Sequence, residues 1–156
     1  MNKRILLFPI VLSFLALPLA RAEDHAHGAA AHEKHTELGE HMEKMGGAFR
    51  RLSRQISDPT KNEDSLKLVA TLRENAAAAL KLVPAKAADV PAERREQFVT
   101  DYRASMERFA GELEKLEAAL KAGNNEAAAA QFKVLKQAQD QGHKEFQKKK
   151  PKKSEK

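Results

Sequence analysis

Apolar residues that recur every three or four positions constrain this chain more than any other feature of its sequence. Leu38, Met42, Met45, Phe49, Leu52 and Ile56 step by 4, 3, 4, 3 and 4. Val99, Tyr102, Met106, Phe109, Leu113, Leu116 and Leu120 step by 3, 4, 3, 4, 3 and 4. Both spacings keep side chains on one face of a 3.6-residue helix, and no stretch of useful length alternates as a strand does. Leu66, Val69, Leu72, Ala76, Ala79 and Leu80 mark the inner face of a helix from about Glu63 to Leu82. A last helix runs to about Gln147 and buries Ala128, Phe132, Leu135 and Phe146.

Breakers divide the periodic stretches. Asp58-Pro59 ends the first helix, because the residue before a proline is pushed out of the helical region. Asn62 is the expected N-cap of the second. Val83–Val90 contains Pro84 and is expected to be a loop, and Pro91 suits the first turn of the third helix. Gly123 stands where a helix end needs a left-handed residue, and Asn124 or Asn125 caps the fourth helix. Pro59, Pro84 and Pro91 argue against one long coiled coil. Four helices joined by short links predict an all-α, antiparallel up-down-up-down four-helix bundle over 37–147.

The ends of the chain differ in character from the bundle. Lys3 and Arg4 precede an apolar run from Ile5 to Leu19, and Ala20-Arg21-Ala22 offers small residues for cleavage. That layout predicts a secretory signal peptide over 1–22, a run too short to span a bilayer comfortably. The expected destination is the periplasm, with no stable membrane insertion after cleavage. The chain has no Cys, so disulfides are excluded in that oxidising compartment. Residues 23–36 form a His-rich, polar segment expected to be flexible. Residues 148–156 are a Lys-rich tail that carries the basic excess of the chain, whose formal net charge is +6. Without the signal and this tail the remainder is slightly acidic. No basic face interleaved with aromatics is present, so nucleic acid is not an expected partner. The Lys tail suits contact with acidic surfaces and equally suits solubility alone.

Two constellations carry possible chemistry. In an antiparallel bundle Met42, near the start of the first helix, and His143, near the end of the last, lie ~8 Å from the same end. A thioether and an imidazole form one of the axial pairs that hold haem iron. Spacing alone leaves a second account open, in which Met42 fills the core and His143 is a solvated helix-end residue. The other constellation is His25, His27, His32 and His35, followed by His41. Cleavage after Ala22 would start the mature chain Glu23-Asp24-His25. Its amine, amides and imidazole can then wrap Cu(II) or Ni(II) in a square plane. Enzyme chemistry finds no support: Glu112, Glu114 and Glu117 are expected on solvent faces, and no Glu-x-x-His pair of a di-iron bundle occurs.

The run Leu38-Gly39-Glu40-His41-Met42-Glu43-Lys44-Met45 resembles the start of the soluble periplasmic cytochrome b-562 family. Leu135-Lys136 and His143-Lys144-Glu145-Phe146 resemble that family's last helix. The resemblance covers about Leu38 to Gln147. It implies one non-covalent b-type haem per chain, with Met42 and His143 as axial ligands and Phe109 and Met106 lining the haem. Met45 is the alternative thioether ligand. It implies one-electron transfer to an unnamed redox partner, with no substrate bond made or broken. Related cytochromes c-prime attach haem through Cys-x-x-Cys-His, where this chain has Gln139 and Gly142, so thioether attachment is excluded. The competing expectation is a haem-free exported bundle binding Cu(II), Ni(II) or Zn(II) through its N-terminal histidines.

Overall fold

The computed structural model describes residues 36–148. Four helices, and no strand, occur among the described residues: α1 (Glu37–Gln55), α2 (Asn62–Ala79), α3 (Ala92–Lys121) and α4 (Asn125–Phe146).

Local chemistry sets each boundary. The Thr36 hydroxyl caps α1 by accepting from the Gly39 N–H at 3.1 Å. Asp58 caps a 3-10 turn over Pro59–Lys61, accepting from the backbone N–H and the hydroxyl of Thr60 at 2.9 and 2.7 Å. Those bonds hold its carboxyl below the usual range. Asn62 is not the cap of α2. It is the first helical residue, and Lys61 precedes it without a side-chain cap. Its amide is drawn off by Asn125 across the bundle, donating to Asn125 Oδ1 at 3.0 Å.

The second helix ends at Ala79 rather than Leu82. Lys81 and Leu82 donate to the carbonyls three residues back, Ala78 and Ala79, so the last turn tightens before Pro84. The expected loop Val83–Val90 contains a 3-10 helix over Ala85–Asp89, tied to α3 by Arg95, which donates to the Ala87 and Val90 carbonyls. Pro91 stands one residue earlier than expected, as the residue before α3. At the far end of α3, Gly123 has φ +68°. Gly123 N–H donates to the Leu120 carbonyl and Asn124 N–H to the Ala119 carbonyl, both at 3.0 Å. This paired reversal satisfies the orphan carbonyls of α3. Asn124 then caps α4 by accepting from the Ala127 N–H at 2.9 Å.

The core follows the expected stripes of α1, α3 and α4, with Leu52, Leu113, Leu116 and Leu135 wholly buried. The buried face of α2 is wider than the expected stripe. It runs through Ser65, Leu68, Val69, Leu72, Asn75, Ala76 and Ala79, and Leu66 and Leu80 are only partly buried. Two polar residues inside that face, Ser65 and Asn75, disguised its period. Val99 and Phe146 are also partly rather than fully buried.

Backbones pack closely between α1 and α2, α2 and α3, and α3 and α4, and far less between α1 and α4. An aromatic pair and a side-chain hydrogen bond cross that last seam. The Phe49 and Phe132 rings stack with centroids 4.5 Å apart. The Asn125 amide donates to the Ile56 carbonyl at 3.1 Å and to Asn62 Oδ1 at 2.7 Å.

Candidate functional site

The two crossings of the α1–α4 seam fix the relation between Met42 and His143. From Phe49 to Ile56 α1 advances seven residues, and from Phe132 to Asn125 α4 retreats seven. The two helices therefore run in opposite senses here. Continuing the same register, seven residues before Phe49 is Met42, and seven beyond Phe132 is Gln139. His143 lies one turn past Gln139. Met42 and His143 thus sit at one end of the bundle with backbones offset by four residues, about 6 Å along the axis. They are not at one depth, as equal distances from the helix ends would suggest. Side chains lean toward the N-terminus of their own helix, so that of Met42 leans outward along the bundle and that of His143 leans inward. The offset between backbones shrinks between side chains.

Burial falls off toward this end. Along α1, Leu52 is wholly buried and Met45 is 7% exposed, while Met42 and Leu38 are only partly buried. Along α4, Leu135 is wholly buried, Ala138 and Phe146 partly, and His143 is exposed. Both donors can be reached from outside, and the seam between their helices is the loosest of the bundle. Gly142, next to His143, would bring a Cβ within 4 Å of nothing.

α3 meets the end of α4 through aromatic rings. Phe98 and Tyr102 meet the Phe146 ring edge-on, with centroids 5.4 and 5.6 Å away. The Tyr102 hydroxyl donates to the Ala79 carbonyl at 3.0 Å and thereby joins α3 to the end of α2. Burial pushes its phenol up to about 12. Met106 and Phe109, one and two turns further along α3, are buried in the same core as Met45. A separate open groove of about 480 Å³ lies between α3 and the end of α4. Phe98, Asp101, Ala104, Arg108, Glu145 and Phe146 line it. Neither Met42 nor His143 does, so this groove is not the space between the two donors.

His25, His27, His32 and His35 lie outside the described residues. His41 belongs instead to the bundle: its Nδ1 is 2.9 Å from Oδ1 of Asn75. Nothing in the sequence announced that contact, since Asn75 stands 34 residues away in an Ala-rich stretch. Among the described residues, no three His, Cys, Asp or Glu side chains are grouped to hold a metal ion. The expected carboxylates are engaged with neighbours. Glu117 accepts from Lys121 and Arg73, which hold its carboxyl below the usual range. Glu112 accepts from Lys115 and Gln131, with the same effect. No described helix is long and apolar enough to cross a membrane.

No curated protein matches the chain. The family model described as cytochrome b562 matches residues 37–147, the span of the four helices from the first residue of α1 to the residue after α4. On that match the chain belongs to the cytochrome b562 family, whose members are haem proteins that carry electrons.

Proposed function

We propose that this chain is a periplasmic one-electron carrier, built as an up-down-up-down bundle. It binds one b-type haem non-covalently, with Met42 and His143 as axial ligands. The observation that carries the reading is the seven-for-seven register of α1 against α4, which brings these two residues to one end of the bundle. The residues fit the group. A thioether and an imidazole are an established donor pair for haem iron. The seam between their helices is loosely packed, and Gly142 adds no side chain to it. Apolar Met106 and Phe109 close the inner side.

Haem, when bound, supplies reversible one-electron chemistry between Fe(II) and Fe(III). The chain's own residues do the rest. Met42 and His143 would be the two protein donors that hold the iron, an arrangement that would suit transfer rather than catalysis. A thioether together with an imidazole on the iron would favour the reduced form and raise the potential. Met106 and Phe109, buried in the core, would keep water from the inner face. The chain has no Cys, so coordination and packing alone retain the group. The expected signal peptide lies outside the described residues, and the periplasmic location of the family supports export.

The test is a haemin titration followed by absorption spectroscopy, oxidised and then reduced with dithionite. The expected result is a sharp low-spin spectrum at one haem per chain. Met42→Ala is expected to convert it to a high-spin form with a lower potential. His143→Ala is expected to lose most of the affinity. Unchanged spectra in both variants would remove these residues as ligands, and a titration without any bound spectrum would remove haem.

A further inference from the structure

His41 stands beside Met42, and the two side chains leave α1 about 100° apart. Its Nδ1 is 2.9 Å from Asn75 Oδ1 on α2. Asn75 is 7% exposed, one of two buried polar residues among those described. Its amide nitrogen donates to the Thr71 carbonyl, one turn back, at 2.8 Å. That bond fixes the orientation of the amide: the nitrogen faces Thr71, so the oxygen faces His41. Oδ1 can only accept, and His41 must therefore carry its proton on Nδ1 and donate. No buried side-chain polar atom among the described residues lacks a partner. Removal of the imidazole would strand the buried Asn75 oxygen.

The place of this bond in the fold gives it a consequence. Before Met45, α1 offers the core only the partly buried Leu38 and Met42. Its aromatic pair and hydrogen bond with α4, at Phe49 and Ile56, are two and four turns further on. On the α2 side of these first two turns, His41–Asn75 is a directional contact. A bond that fixes the azimuth of residue 41 also fixes that of residue 42.

We infer that His41 and Asn75 are a positioning pair that aims Met42 into the α1–α4 seam before a ligand arrives. Groups behind a metal's ligands commonly orient them in this way. The inference rests on the reading of Met42 as an axial ligand. A soft thioether holds oxidised iron less firmly than reduced iron, so freedom at the start of α1 shows first in the oxidised protein.

The experiment compares wild type with His41→Phe, His41→Gln and His41→Asn. Asparagine places an N–H where the imidazole Nδ1 stands, glutamine places it one bond further out, and phenylalanine has none. Each protein is titrated with haemin. In the haem-free state, amide hydrogen exchange is followed over residues 38–44. His41→Phe and His41→Gln are expected to bind haemin about fivefold more weakly, the change that a part-buried hydrogen bond of ordinary strength supports. Their oxidised spectra are expected to contain a high-spin fraction that dithionite reduces, and their 38–44 amides to exchange about fivefold faster. His41→Asn is expected to behave as wild type. Wild-type spectra and exchange in His41→Phe would overturn the inference, as would His41→Asn failing as badly as His41→Phe. If wild type itself gives no low-spin spectrum, the reading of Met42 falls. The exchange comparison then decides alone whether the pair orders α1.

Discussion

Tyr102 shows how much one side chain holds together at the open end. It is the chain's one tyrosine, buried, edge-on to Phe146 and bonded to the Ala79 carbonyl. Tyr102→Phe keeps the ring and removes one of the two hydrogen bonds to that carbonyl, which the Leu82 N–H still holds, so unfolding free energy is expected to fall by ~1 kcal/mol in urea titration. The phenol also links stability to pH. Its folded pKa is raised from 10.0 to about 12. The proton is therefore held more tightly in the folded state, and the contribution is complete below pH 10. It is lost as pH rises from 10 toward 12, at up to roughly 1.4 kcal/mol per unit. Ultraviolet titration should show the phenolate appearing near the upper value, with alkaline unfolding following it. Deep in the core the governing effect is volume. Leu113→Ala, at a site with no exposure, is expected to cost about 3 kcal/mol by leaving a cavity the neighbours only partly refill.

At the scale of elements, two glycines have opposite expected outcomes. Gly123 adopts φ +68° between α3 and α4, and a Cβ there would meet no atom within 4 Å. The cost of Gly123→Ala is thus backbone strain alone, ~1 kcal/mol, readable as a lower melting temperature. Gly142 is inside α4, where alanine is the better helix former by ~1 kcal/mol, and it too has open space beside it. Gly142→Ala is therefore expected to raise the melting temperature of the haem-free protein and to weaken haemin binding. Haemin binding at or above wild-type strength would take Gly142 out of the haem's surroundings. The links between elements are as specific as the helices. Asn62 and Asn125, with the Ile56 carbonyl, form a polar joint where α1, α2 and α4 meet, and it sits at the end opposite to Met42.

For the molecule as a whole, haem held as proposed would act as a clamp across the seam that the helices leave loose. A group that binds only the folded chain adds ~2.7 kcal/mol of stability at a hundredfold excess over its dissociation constant. Calorimetric melts with increasing haemin should climb accordingly. Removal of Glu23–His35, which lies outside the described residues, is expected to leave that climb unchanged. Loss of haemin stabilisation on this deletion would bring the N-terminal histidines into the haem site. Retention of haemin together with loss of Cu(II) binding would assign them a separate metal.

Periodicity, breakers and caps were legible from sequence because their causes are local. A 3.6-residue repeat of Leu, Phe and Met has one way to hide its apolar face, prolines end helices wherever they stand, and Gly123 is left-handed because its own neighbours require it. The family resemblance was legible at Met42 and His143 for the same reason, as residue types in local contexts. The four-residue offset between them was not, because it depends on how α4 meets α1 at Phe49 and Ile56. Nor was the loose seam between those helices. The buried Asn75, its bond to His41 and the diversion of Asn62 from cap to cross-helix partner were equally hidden. A polar residue in an Ala-rich helix reads as solvent-facing until the opposing helix supplies its partner. The sequence by itself determined where the helices lie and which faces they bury, since those follow from spacing along one chain. Only the tertiary structure decided which helix ends meet and which polar groups pair, since contacts between distant residues depend on the register of whole helices.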